Sequence, residues 1–159
     1  MSILSSNNLI LKCFKGTDPE ETDIVAILKK VYGQSVQKFT ITRRTAQTVD
    51  FDDNHDGKVD VGSWISGEMT KIKNACTSAH DYNIFLVDNP SDGSSGYMSF
   101  NQKYGFIHAD NGNARTIAHE LGHGQGLSHT PTDADNIMYN YTSGTKWRLR
   151  KSQWDSLNP

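Results

Sequence analysis

The 159-residue chain has little cysteine, no excess of either charge and no long apolar run. The longest clearly apolar stretch, Ile84-Phe85-Leu86-Val87, falls far short of the ~20 residues a membrane-spanning helix needs. Sixteen basic residues against eighteen acidic ones leave a net charge of −2. No basic surplus therefore points to nucleic acid, and no charge block points to a membrane surface. Cys13 and Cys76 could pair in an oxidising compartment or remain buried thiols; their apolar and small neighbours favour thiols. Met1–Gly16 lacks the basic start, apolar stretch and small-residue cleavage site of a signal peptide. The expectation is a chain that is leaderless, already processed or cut from something longer.

The composition, 35% hydrophobic and 21% charged, suits a globular protein, and the length suits one domain across residues 1–159. No internal repeat interrupts it. Asn8–Phe14 reads as a strand. Asp18-Pro19-Glu20-Glu21 reads as a helix start, with a cap, a proline at the first position and acids in the first turn. Ile24, Ile27, Leu28 and Val31 follow at helical spacing, and Gly33 closes the segment. Strands are predicted at Phe39–Val49, Tyr82–Val87, Tyr97–Asn101 and Tyr104–His108, and helical character over Ile65–Ala79. Asn113 can cap a further helix, and Leu149–Leu157 reads as a short closing one. This order argues for a mixed α+β (α/β-like) fold with one sheet.

The stretch His119-Glu120-Leu121-Gly122-His123-Gly124-Gln125-Gly126-Leu127-Ser128-His129 carries the chemistry. At ~100° per residue, Ala114, Ile117, Ala118 and Leu121 share one helix face, while His119 and His123 share the other. Two imidazoles one turn apart can bind one ion. Gly126 is where the helix should stop, at a position suited to positive φ, so that His129 can approach from outside. Three neutral imidazoles leave a fourth tetrahedral position for water, the pattern of a catalytic zinc site. Glu120, at the edge of that face, can take the proton of such a water without joining the ligands. A helix of merely buried histidines would not need Gly126, the third histidine or a methionine downstream.

The same residues fit H-E-x-x-H-x-x-G-x-x-H, and the chain resembles the metzincin zinc endopeptidases. The resemblance covers about residues 113–157, with the matrixin-like branch most similar. It implies a metzincin-type zincin domain: a twisted mixed sheet with an antiparallel edge strand, an active-site helix, a Met-turn and a C-terminal helix. It implies His119, His123 and His129 as zinc ligands and Glu120 as general base. It further implies Gly126 and Met138 as structural residues of the site, with Asn136-Ile137-Met138-Tyr139 as the Met-turn. Thr145–Leu157, containing Gln153-Trp154-Asp155, resembles the closing helix, and Tyr97–Asn101 is the candidate substrate-aligning edge. Some metzincins carry a tyrosine two residues after the methionine; here that position is Asn140, flanked by Tyr139 and Tyr141. The zinc and calcium loop histidines of the matrixin-like branch do not occur in order.

Asp52-Asp53-Asn54-His55-Asp56-Gly57-Lys58-Val59-Asp60 is the second notable stretch. Asp52, Asn54, Asp56, Gly57 and Asp60 match the first nine positions of an EF-hand loop, which raises calcium as a second ion. Ser63 stands where that loop has its bidentate Glu. The alternative is a hairpin turn at Asn54–Gly57 between Val49–Phe51 and Lys58–Val61. His108 reads as the polar end of a strand, His55 and His80 as exposed, and Cys13 as a core-facing strand position. Trp64, Trp147 and Trp154 read as core or cleft-edge aromatics. The expected function is a secreted, monomeric zinc endopeptidase acting on protein or peptide substrates. The alternatives are a non-catalytic zinc-binding interaction module, or the same chemistry as a delivered toxin or effector domain.

Overall fold

The computed structural model describes residues 20–35, 37–46, 48–62, 65–75, 81–109, 113–140 and 147–157, and residues 6–13 and 76 as backbone. Asp18, Pro19, Ser63, Trp64, His80, Tyr141 and Thr145, and the side chains of Cys13 and Cys76, lie outside the described residues.

Five strands form one twisted mixed sheet in the order β2-β1-β3-β5-β4. They are β1 (Ser6–Cys13), β2 (Lys38–Arg44), β3 (Tyr82–Val87), β4 (Gly96–Met98) and β5 (Tyr104–His108). The β2–β1, β1–β3 and β3–β5 pairs are parallel, and β4 lies antiparallel on β5 at the edge. The helices are α1 (Glu21–Tyr32), α2 (Gly67–Cys76), α3 (Ala114–Gly124) and α4 (Lys151–Leu157). This is the α+β architecture expected, down to the antiparallel edge. Among the described residues no helix is long and apolar enough to cross a membrane.

The apolar run in β3 is uninterrupted because both faces of the sheet are covered. Ile84 and Leu86 pack with Ile24 and Leu28 of α1 and Ile117 and Leu121 of α3. Phe85 and Val87 point the other way, onto Met69 and Ile72 of α2 and onto Val59. Each such fully buried side chain contributes about 1.5–3 kcal/mol relative to exposure. The alignment of Ile24, Leu28, Val31 and Tyr32 at helical spacing brings α1 against the same sheet face as α3. There the Tyr32 hydroxyl donates to the Ala118 carbonyl at 2.5 Å.

Several boundaries differ from the sequence-based expectations. Within the described residues α1 begins at Glu21, with the Glu20 carbonyl accepting from the Asp23 and Ile24 amides. Gly33 ends it in right-handed backbone, φ −60°, and a 3-10 turn continues to Ser35. β2 stops at Arg44 and not at Val49 because its register on β1 ends at Lys12 opposite Arg44, and a strand without a neighbour gains no ladder. β4 stops at Met98 because the chain turns away, Gln102 N–H donating to Ser99 O and Asn101 adopting φ +58°.

The predicted hairpin at Asn54–Gly57 does not form. Val59 instead makes a parallel bridge to Pro90. The loop folds on its own side chains: Asp52 accepts from the Asp56 and Gly57 amides, Asn54 from Asp56, and Asp56 from Lys58. Glu68 of α2, 3% exposed, then clamps it, one carboxylate oxygen accepting from Asp53 N–H at 2.9 Å and the other from Asp60 N–H at 2.7 Å. Glu68→Ala is expected to strip both amides of their partner and to cost about 2–4 kcal/mol, read by denaturant unfolding with bound zinc unchanged.

Candidate metal centre

Asn113 starts α3, its side-chain oxygen accepting from the Arg115 amide at 2.9 Å and the Thr116 amide at 3.1 Å. Thr116 answers through its hydroxyl, which accepts from the Asn113 amide. Ala114, Ile117, Ala118 and Leu121 are buried against the sheet, so His119 and His123 turn to the opposite face. The helix ends as expected at Gly126, φ +87°. Gly126 N–H donates to His123 O and Leu127 N–H to Gly122 O, the paired bonds of a Schellman cap. A side chain there would strain the backbone and would collide with Asn101 Oδ1. The reversal returns the chain along the outside of α3 and delivers His129.

The three imidazoles converge through Nε2. His129 Nε2 lies 3.2 Å from His119 Nε2 and 3.1 Å from His123 Nε2. His119 Nδ1 lies 2.7 Å from Ile137 O and His123 Nδ1 2.8 Å from Leu127 O. A carbonyl only accepts, so both Nδ1 atoms carry the proton and both Nε2 atoms present lone pairs. Lone pairs brought together in this way suit a shared cation. Four-coordinate zinc with Zn–N of about 2.05 Å would place its nitrogens about 3.3 Å apart, so the donor set fits zinc in type and spacing. Among the described residues this is the one group of three His, Cys, Asp or Glu ligands with atoms within 4.8 Å of one another. Asp52, Asp56 and Asp60 do not form a second such group.

Glu120 sits between α3 and β4, 6% exposed. Burial pushes its carboxyl up to about 8, and the Met98 amide, donating to it, pulls the other way. A β-carbon on Gly96 would come within 2.9 Å of Glu120 Cγ, so the edge strand lies hard against this side chain. Burial holds His119 down at about 4, the Ile137 carbonyl opposing, and burial also lowers His123 and His129.

These shifts set the pH response of the metal-free protein. Between about 4 and 6.5 the unfolded chain takes up protons that the folded histidines refuse, so stability falls as pH falls; His119 alone accounts for about 3 kcal/mol. Between 4.5 and about 8 folded Glu120 keeps a proton the unfolded chain has released, so its effect on stability falls as pH rises. Three histidines outweigh one carboxyl below 6.5, and Glu120 acts alone above it. The melting temperature of chelator-treated protein is therefore expected to peak near pH 6.5. A continued rise to pH 8.5 would contradict these environments.

Met138 is fully buried beneath α3, and a β-carbon on Gly122 would overlap its sulfur. The close approach at Gly122 is thus made by a methionine side chain. Asn136, within the expected turn, and Gln153, within the expected closing helix, hold this turn through contacts the sequence did not reveal. Asn136 Oδ1 accepts from Met138 N–H at 2.9 Å, and Asn136 Nδ2 donates at 2.8 Å to Gln153 Oε1. Asn136 is 0% exposed, and a buried amide needs partners; nothing in the spacing marked it, though both residues fall in stretches already singled out. Beside the imidazoles lies a cleft cavity of about 450 Å³, bounded by β4, by the face of α3, and by Tyr139 and Asn140.

The chain shares its fold with archaemetzincin from Methanopyrus kandleri. The two superpose with a TM-score of 0.67 at 15% identity, over 95% of this chain and 93% of archaemetzincin. Metalloproteinase-II from Bacteroides fragilis is also similar, with a TM-score of 0.66 and 16% identity, 97% of this chain covering 52% of that one. A chain from a chaperone–substrate complex gives 0.64 and 14%, with 99% of this chain covering 34% of it. No protein-family model and no curated protein matches the sequence.

The remaining expectations fall away from the metal centre. His55 is exposed in left-handed backbone, and His108 ends β5, half-buried. Trp147 and Trp154 pack against the core, with Lys30 over the Trp147 ring.

Proposed function

We propose that the protein is a zinc-dependent endopeptidase of metzincin type. The convergence of three imidazole Nε2 atoms, with a buried carboxyl on Glu120, carries this reading. His119, His123 and His129 would hold the metal, and Glu120 would stay outside its ligands. Zinc bound there supplies a Lewis acid that brings the pKa of a water toward about 7 and polarises a peptide carbonyl. A Glu120 carboxylate oxygen takes the proton as water attacks and returns it to the leaving amine. Burial raises the Glu120 carboxyl above the usual carboxylate range, which favours the return of the proton after it is taken up. The free edge of β4, which borders the cleft cavity, pairs with the extended substrate backbone. Met138 forms the floor and Gly126 the turn that brings in His129.

A binding module that merely held zinc would have no use for a buried carboxyl that costs folding free energy at neutral pH. Chelator-sensitive cleavage of an unstructured protein such as casein tests the peptidase reading; full zinc loading with no cleavage would favour the module. Calcium is proposed for Asp52, Asn54, Asp56 and Asp60 on their spacing, supported by the left-handed Gly57, φ +74°. Added calcium is expected to raise the melting temperature without displacing zinc, and an unchanged melting curve would end that assignment.

A further inference from the structure

Arg115 lies four residues before His119 and faces the same cleft. Its side chain is long enough to reach water, yet the residue is only 7% exposed. It borders the cavity together with Thr116, Tyr97, Phe100, Tyr139 and Asn140. Among the described residues, every other side chain on that wall is uncharged apart from the imidazoles and Glu120, so the guanidinium is the fixed positive charge they place there. Its field reaches His119, where it disfavours the imidazolium. Burial lowers the guanidinium's own pKa, but arginine remains a cation at neutral pH. Arg115 also interacts within the chain, and its five-donor fork can serve a ligand besides.

We propose that Arg115 makes this cleft select a peptide carrying an aspartate or glutamate side chain beside the bond to be cut. The proposal rests on the peptidase reading of the same site. A guanidinium N–H donates a charge-assisted hydrogen bond to a carboxylate. At a side chain this buried the pair is less screened than in water. A neutral substrate side chain fills the space and leaves the guanidinium dry. A lysine or arginine meets a like charge, so the order of preference is acidic, then neutral, then basic.

The test uses a peptide library degenerate at its central positions. Zinc-loaded protein digests it in one arm, with cut sites read by mass spectrometry. Immobilised Glu120→Ala protein captures it in the other, which reads binding without turnover. Aspartate and glutamate are expected to be enriched at one position by about tenfold in both arms, with lysine and arginine depleted there. Arg115→Gln is expected to abolish the enrichment with zinc content unchanged, and Arg115→Lys to retain part of it. If Arg115→Gln fails to fold, Arg115→Lys decides: the acidic enrichment must fall with the narrower single-point donor, and enrichment left undiminished overturns the proposal. Cleavage or capture without acidic enrichment, or enrichment that survives Arg115→Gln, overturns the proposal while the peptidase reading stands. Acidic capture without any digestion upholds the pocket and sinks the peptidase.

Discussion

Glu120→Gln is expected to lower peptide turnover by about 10²–10⁴-fold while zinc stays bound. The substitution keeps the size of the side chain, and the amide oxygen can still accept from the Met98 amide. What disappears is the proton acceptor. In the metal-free protein burial raises this carboxyl to about 8, so near neutral pH the chelator-treated protein already resembles the amide. Stability at pH 7 is therefore expected to hold or rise, and an activity loss cannot be put down to misfolding. Thermal melts, zinc content and casein cleavage on one preparation separate the three quantities. Unchanged turnover in this variant would remove Glu120 from the chemistry.

His129→Ala is expected to weaken zinc binding by at least about 10²-fold, more than loss of a residue that merely orients a ligand. His119 and His123 would remain on α3, two protein donors where a catalytic tetrahedral site has three and a water. The effect reaches stability, since an ion bound only by the folded state adds about 4 kcal/mol at a thousand times its dissociation constant. Chelator should lower the melting temperature of the parent protein and leave His129→Ala nearly unmoved. Gly126→Ala acts in the same direction by another route: a side chain at φ +87° costs roughly 1–2 kcal/mol and pushes on Asn101, displacing the turn that carries His129. An equal chelator response in the parent and His129→Ala would take His129 out of the ligand set.

How much of this could be read from residues alone depended on whether the cause was local. The run Ile84–Val87 has no other use than a strand covered on both faces. Asn113, the apolar face of α3 and Gly126 specify a helix, its start and its stop within a few residues, and the structure follows them. Boundaries decided by partners were not legible. β2 ends where β1 leaves it, and β4 ends because Asn101 turns to donate its amide to His123 O at 3.0 Å. Asp52 to Asp60 has a spacing that suits an ion loop or, slightly better, a hairpin. The contact that shapes the loop, Glu68, lies on a helix farther along the chain. Asn136 and Gln153, seventeen residues apart, meet only once α4 has docked beneath the turn. Convergence of three imidazoles was legible because helix geometry and one glycine turn suffice; the burial of Glu120 against β4 was not, because it needs the sheet.

X-ray absorption at the zinc edge of the loaded protein bears most directly on the metal centre. Three imidazole nitrogens and one further light atom, all near ~2.0–2.1 Å, are expected. Sulfur in the shell, or fewer than three imidazoles, would contradict the site built from His119, His123 and His129.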